Sequence, residues 1–351
     1  SSKKQGLKLL SVELAFGDRP FELTCDDADI LIQRRTDENN ILWQKESILN
    51  VGVQHLPSDC DKVVCLDCDI IFNNNAWIAE TSCLLEAYVA VQSFSFAVRL
   101  PKGVYSFSDE EIKNLPQGYI PGGGGNLPSF SFAKRVSIPL AGRPGGAWAL
   151  RRSFLVKHPF YDRFILGGAD AGMAHAFCGD FRNNEQVRSH YNPQTYAHYL
   201  RWAEEMYSDI QGSYWYAGGV IMQLWHGDTA ERLYKCRDLL LRVLEYDPEE
   251  DVRVSEDGFL EWASDKPKLH GAVKEYFRFR GEEQGGFFGS FISSELHKTK
   301  DNLDIVQKEL SALKFSRTYK VAQVIRKLYT IMIPTDKAML LWMKKARSND
   351  G

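Results

Sequence analysis

From Val63 to Phe72 the chain reads Val-Val-Cys-Leu-Asp-Cys-Asp-Ile-Ile-Phe, and three asparagines, Asn73, Asn74 and Asn75, follow at once. An apolar run this short that ends in a polar turn reads as one buried strand. Asp67 and Asp69 then project from its end, beside the loops where open α/β sheets bind their ligands. Carboxylates in such a place are costly unless a positive partner neutralises them. A hard divalent ion that carries substrate phosphates needs only one or two protein carboxylates, so the pair is a candidate metal-diphosphate site.

The flanking segments supply the rest of an α/β unit. Leu7–Phe16 and Ala28–Gln33 read as strands, each followed by turn residues. Ile41–Leu56 places Leu42, Leu49, Val53 and Leu56 at helical spacing, and Pro57 stops it. Strand, helix and strand with acids at the tip is the grammar of a nucleotide-binding half. Beyond it, Trp77–Val91 predicts a helix that leads to Ser93–Leu100. A loop region from Pro101 to about Lys134 contains Gly122–Gly125, which suits either a lid or disorder. Val136–Leu140 reads as a strand, Gly145–Phe154 as a Gly-Gly turn opening a helix, and 195–209 and 229–246 as helices.

Composition narrows the function classes. With 351 residues, 44% hydrophobic and 25% charged, the chain can bury a sizeable core. A net charge of -3 gives no basic excess for nucleic acid. No run approaches a membrane span, and Ser1-Ser2-Lys3-Lys4 lacks a signal peptide's apolar core. Seven scattered cysteines suit a reducing compartment, so the expected location is cytoplasmic. Cys65 and Cys68 form a CxxC without the second pair that a zinc site needs. Asn302–Gly351 holds ten Lys/Arg against four Asp/Glu. That basic, amphipathic tail reads either as a peripheral contact with an anionic membrane or as a solvated helix pair.

Three further places put polar groups where packing is expected. In Gly167-Gly168-Ala169-Asp170-Ala171-Gly172 the small neighbours leave room for an acceptor, and Asp170 would serve either as a general base or as a helix cap. In Leu224-Trp225-His226-Gly227-Asp228, His226 follows an apolar strand, Gly219–Leu224, and could join a metal site or simply be structural. In Pro144-Gly145-Gly146-Ala147-Trp148 the indole could stack on a sugar or lie in the core.

The ordered set Trp43-Gln44-Lys45-Glu46, Asn50, Asp67-Cys68-Asp69, Gly145-Gly146-Ala147-Trp148, Gly167-Gly168-Ala169-Asp170, Trp225-His226-Gly227 and Arg232-Tyr234-Arg237 resembles the GT-A fold glycosyltransferases. The likeness is to bacterial and viral enzymes similar to glycosyltransferase family 2, over roughly residues 7 to 280. It implies an α/β fold with a Rossmann-like mixed sheet flanked by helices. A GT-A domain would span 1–300, with a nucleotide-binding half at about 7–100 and an acceptor half at about 135–280, and 301–351 would be a helical extension. The implied activity is hexosyltransferase-like, placing the chain in polysaccharide biosynthesis: a sugar moves from a nucleoside-diphosphate donor, most simply a UDP-sugar, to a hydroxyl of a glycan or lipid-linked glycan, with inversion.

By the same resemblance Asp67, Asp69 and His226 would hold Mn2+ or Mg2+, and Asp170 would be the base. Lys45, Asn50 and Arg232 would border the nucleotide or its phosphates, with Arg237 also near them. Gly145, Gly146, Trp148 and Gly168 would wall the donor and acceptor sugars. The segment before the acidic pair is short for such enzymes, and Asp170 lacks the acidic neighbour of their commoner form. Two other classes compete. One is a haloacid-dehalogenase-like phosphatase using Asp67 and Asp69, although here two strands precede the acids and Ile71 stands where that site wants Thr or Val. The other is a non-catalytic glycan-binding protein on a transferase fold.

Overall fold

The computed structural model describes residues 7–115, 126–136, 142–183, 188, 191–225 and 237–279. The chain divides into two units, residues 1–283 and 284–351. The second unit, and with it the basic segment Asn302–Gly351, lies outside the described residues, as do Gly122–Gly125 and residues 137–140 of the expected strand. The first unit is a mixed α/β structure.

Strands β1 (Leu10–Phe16) and β2 (Ile30–Thr36) pair in parallel as a separate two-stranded sheet, with Leu10 opposite Ile30. Helix α1 (Lys45–Gln54) lies against β1 so closely that a methyl group on Gly52 would meet Leu10 at 3.3 Å.

The apolar run from Val63 to Phe72 is not one strand. It splits into β3 (Lys62–Leu66) and β4 (Ile70–Phe72), separated by a turn at Cys68 and Asp69. The two halves belong to different sheets, ordered β3-β8-β5-β9 and β4-β10-β6-β7. The members still to be placed are β5 (Ala90–Gln92), β6 (Phe96–Arg99), β7 (Asn126–Pro128), β8 (Ala147–Arg151), β9 (Tyr214–Tyr216) and β10 (Val220–Gln223). Long-range backbone bonds impose the break. Asp67 N donates to Gly146 O at 2.9 Å, and Leu224 N donates to Asp69 O at 2.7 Å, so each aspartate is tied to a different sheet. Both sheets are mixed: β8 runs antiparallel to β3 and β5, while β5 and β9 are parallel. In the second sheet β10 runs parallel to β6 and antiparallel to β4.

Two other expectations are corrected. Gly145–Phe154 opens a strand rather than a helix, because Ala147–Leu150 pairs on both edges and is buried on both faces; helix α5 begins only at Arg152, after α2 (Trp77–Ala87), α3 (Asp109–Lys113) and α4 (Phe130–Arg135), and runs to Lys157. The presumed loop Pro101–Lys134 therefore contains two of these helices and β7. Ser108 and Glu111 form a reciprocal capping box that starts α3, and the Ser129 hydroxyl caps α4. Helix α2 also stops before Val91, since Tyr88 is extended and leads into β5.

Helix α6 (Ala169–Phe177) and helix α7 (Pro193–Ile210) pack together, and Tyr199 on α7 donates to Gly172 O at 2.8 Å. Asn192 caps α7 and Pro193 opens it. The chain continues through α8 (Arg237–Val243), the hairpin strands β11 (Val252–Val254) and β12 (Leu260–Trp262), and α9 (Pro267–Phe279). The largest core joins Leu150, Phe164, Ile165, Phe177, Tyr199 and Tyr246, all at most 1% exposed. A smaller cluster of Phe94, Ala97, Ala147 and Ile221 fills the space beside Leu66, Ile70 and Phe72. Among the described residues no helix is long and apolar enough to cross a membrane.

Candidate active site

Three acids, Asp67, Asp170 and Glu46, gather around Lys45 where β3 ends and the chain crosses to the second four-stranded sheet. Lys45 enters from the first turn of α1, which is held to the segment before α6 by a row of bonds. Trp43 N donates to Ile165 O at 3.0 Å, the Ser47 hydroxyl donates to Asp162 at 3.3 Å, and Asn50 exchanges two bonds with the Phe160 backbone at 2.8 and 3.0 Å. The Gln44 amide adds a two-way bond with Leu260 at 2.8 and 2.9 Å. These struts bring α1 to Asp170 across 125 positions of sequence.

The Lys45 ammonium lies 2.6 Å from Asp67 Oδ1 and 3.0 Å from Asp170 Oδ1. Burial alone would depress this ammonium, but Asp170, Asp67 and Glu46 hold it well above the ordinary lysine range. Burial raises the Asp67 carboxyl; Lys45 and Arg143 oppose that rise and Asp170 adds to it. Glu46, only 2% exposed, accepts the Trp43 indole N–H at 2.9 Å. Its burial, opposed by Lys45 and reinforced by Asp170, pushes its carboxyl up to about 8. Asp69 accepts Gln223 Nε2 at 2.9 Å.

Two glycines lie close to Asp170. A side chain on Gly145 would meet Asp170 Oδ2 at 2.5 Å, so the carboxylate rests against bare backbone. Gly168 is the N-cap of α6 with φ 103, a left-handed conformation that leaves Asp170 in the first helical turn. Asp170 keeps 35% of its side chain exposed and stays reachable from solvent.

The sequence-level assignments divide. Lys45, Asp67 and Asp170 come together as one ion-paired group; Gly145 abuts Asp170, Gly146 O accepts Asp67 N, Gly168 caps the helix that carries Asp170, and Asp69 is bonded to Gln223. Asn50 has both amide atoms engaged by Phe160, so it braces α1 instead of facing a nucleotide. Trp148 is core: it is 5% exposed, bonded to Pro144 O at 2.6 Å and packed edge-on to Phe177 at 4.9 Å, which removes it as a sugar-stacking wall. Arg237 is 6% exposed beside Asp238, its Nε 3.5 Å from Asp238 Oδ1, and backs the Gly167 turn. His226, Arg232 and Tyr234 lie outside the described residues. The CxxC thiols stay protonated, since burial pushes Cys65 up to about 12 and also raises Cys68.

Three residues of the site had no role in the sequence reading. Glu46 shares a face with Leu49 and Val53, and an acid on an apolar stripe was a usable signal. Gln92 ends an apolar strand and is fully buried, which was a second signal. Arg143, in the loop before the Gly-Gly turn, carried none.

Among the described residues no group of three or more His, Cys, Asp or Glu side chains could hold a metal ion by itself. Compared with protein-family models, with curated proteins and with solved structures, the chain matches none.

Proposed function

We propose that the chain is a metal-assisted glycosyltransferase that moves a sugar from a nucleoside-diphosphate donor to a glycan hydroxyl with inversion, on a GT-A-like pairing of the two four-stranded sheets. The observation that carries this reading is the Lys45 ammonium lodged between Asp67, at the tip of a strand, and Asp170, at the start of a helix. Purely structural ion pairs seldom gather three acids and a lysine at a junction of sheets; such groupings are typical of catalytic clefts.

The implied ion fits the chemistry of the donor set. Asp67 and Asp69 would hold it, and a magnesium-like ion completes its shell with water and phosphate oxygens, so a third protein acid is not needed. When bound, the ion would neutralise charge on the departing diphosphate. Asp170 has the tasks of orienting the acceptor hydroxyl and taking its proton. Lys45 holds that carboxylate in place, its ammonium 3.0 Å from Oδ1, and Gly145 leaves the space in which it can approach an acceptor.

The test uses the full chain with nucleotide sugars and Mn2+, following donor hydrolysis and transfer to oligosaccharides. Asp170→Asn should lower transfer at least about 100-fold, the scale of general-base catalysis, while nucleoside diphosphate binds as in the wild type. Undiminished turnover by that variant would overturn the base assignment. A wild-type protein that neither binds nor turns over any nucleotide sugar would overturn the whole reading.

A further inference from the structure

The turn Arg143–Gly146 is fixed by all four of its carbonyl groups. Arg143 O accepts from Phe130 N at 2.9 Å and from Gln92 Nε2 at 2.8 Å. Pro144 O accepts from the Trp148 indole at 2.6 Å, Gly145 O from Gln92 Nε2 at 3.3 Å, and Gly146 O from Asp67 N at 2.9 Å. Gln92 Oε1 in turn accepts Ser131 N at 3.0 Å, so one buried amide ties this turn to α4. Arg143 N is itself bonded to Pro128 O at 2.7 Å. The backbone that launches the Arg143 side chain is therefore hydrogen-bonded at every carbonyl of the turn.

The side chain contrasts with this satisfied backbone. Arg143 Nε is buried and has no hydrogen-bond partner, and its turn is joined to Asp67 through the bond from Asp67 N to Gly146 O. A buried charged donor left without an acceptor destabilises a fold. A site that binds an anionic ligand has a reason to keep one. The other described cations close to the cluster are committed: Lys45 to Asp67 and Asp170, and Arg237 to Asp238.

We propose that Arg143 binds the diphosphate of the donor, a guanidinium fork held at the edge of the Asp67 turn to receive phosphate oxygens. This rests on the glycosyltransferase reading. It assigns to Arg143 the phosphate contact that the sequence resemblance gave to Arg232. A planar guanidinium suits two-point contact with phosphate, which a lysine cannot reproduce. A monophosphate lacks the second phosphate that the fork would grip, so Arg143 should matter for a diphosphate far more than for a monophosphate.

Calorimetric titration of the full chain tests this. UDP, GDP, ADP and CDP are titrated with Mn2+ into the wild type, Arg143→Gln and Arg143→Lys, and the corresponding monophosphate of the tightest binder follows. Arg143→Gln should weaken the diphosphate roughly 10- to 100-fold, the scale of one or two charge-assisted bonds, and change the monophosphate by less than threefold. Arg143→Lys should recover only part of the loss, and both variants should melt no lower than the wild type. Equal diphosphate affinity in wild type and Arg143→Gln would overturn the assignment and leave the transferase reading intact. No diphosphate binding by the wild type would overturn both.

Discussion

Glu46→Gln isolates the electrostatic character of the site in one measurement. Glu46 is buried beside Lys45, and its carboxyl is displaced from 4.5 to about 8, first by burial and then by Asp170, against the pull of Lys45. Because the folded value exceeds the unfolded one, the neutral acid favours the fold fully below about pH 4.5, and this contribution disappears as pH rises through 8. At about 1.4 kcal/mol per pH unit the interval corresponds to roughly 4 to 5 kcal/mol. Glutamine keeps an oxygen for the Trp43 indole, now 2.9 Å from the carboxylate, and does not titrate. Thermal and denaturant melts of both proteins from pH 5 to 8.5 should therefore coincide near pH 5 and diverge with rising pH. The variant should gain roughly 8 °C by pH 8, at about 2 °C per kcal/mol for a domain of this size. A difference that stays constant with pH would refute the assignment of a buried, proton-holding acid at this position.

Two further substitutions probe the same cluster. Lys45→Met removes the partners of Asp67 and Asp170 and should lower stability by about 2 to 4 kcal/mol at pH 7. The loss should shrink in acid as the stranded carboxyls protonate, and a melting shift below 1 °C at pH 7 would contradict it. Asn50→Ala breaks the two-way bond to Phe160 and should cost about 2 to 3 kcal/mol, while diphosphate affinity measured well below the melting point stays within twofold; a tenfold loss of affinity would restore Asn50 to the binding surface.

The elements that could be read from sequence are those whose pattern is local. β1, β2, α1 and α7 follow from periodicity and punctuation, and Asp67 and Asp170 stand out as charges in apolar or glycine-rich surroundings, whereas Lys45 enters only through the family resemblance. The division of Val63–Phe72 between two sheets was not readable. It depends on acceptors and donors at Gly146 and Leu224, which no window around Asp67 contains. Ala147–Leu150 reads as a helix start in the sequence because a strand buried on both faces has no alternation to betray it. Trp148 was ambiguous for the same reason: only its contact with Phe177 decides that it is core. Asn50 and Asn74 are both plain polar residues in the sequence, yet one braces α1 against Phe160 and the other ties Ala76, Glu80 and Gly218 together.

The split at Asp67 and Asp69 gives the two acids separate foundations. One moves with the layer built on β8, the other with the layer built on β10, and Phe94, Ala97, Ala147 and Ile221 are the mortar between those layers. The gap between the acids therefore works as a caliper on how the layers are seated. Trimming that small apolar wedge would be felt as a misfit at the acids before it was felt as a loss of global order.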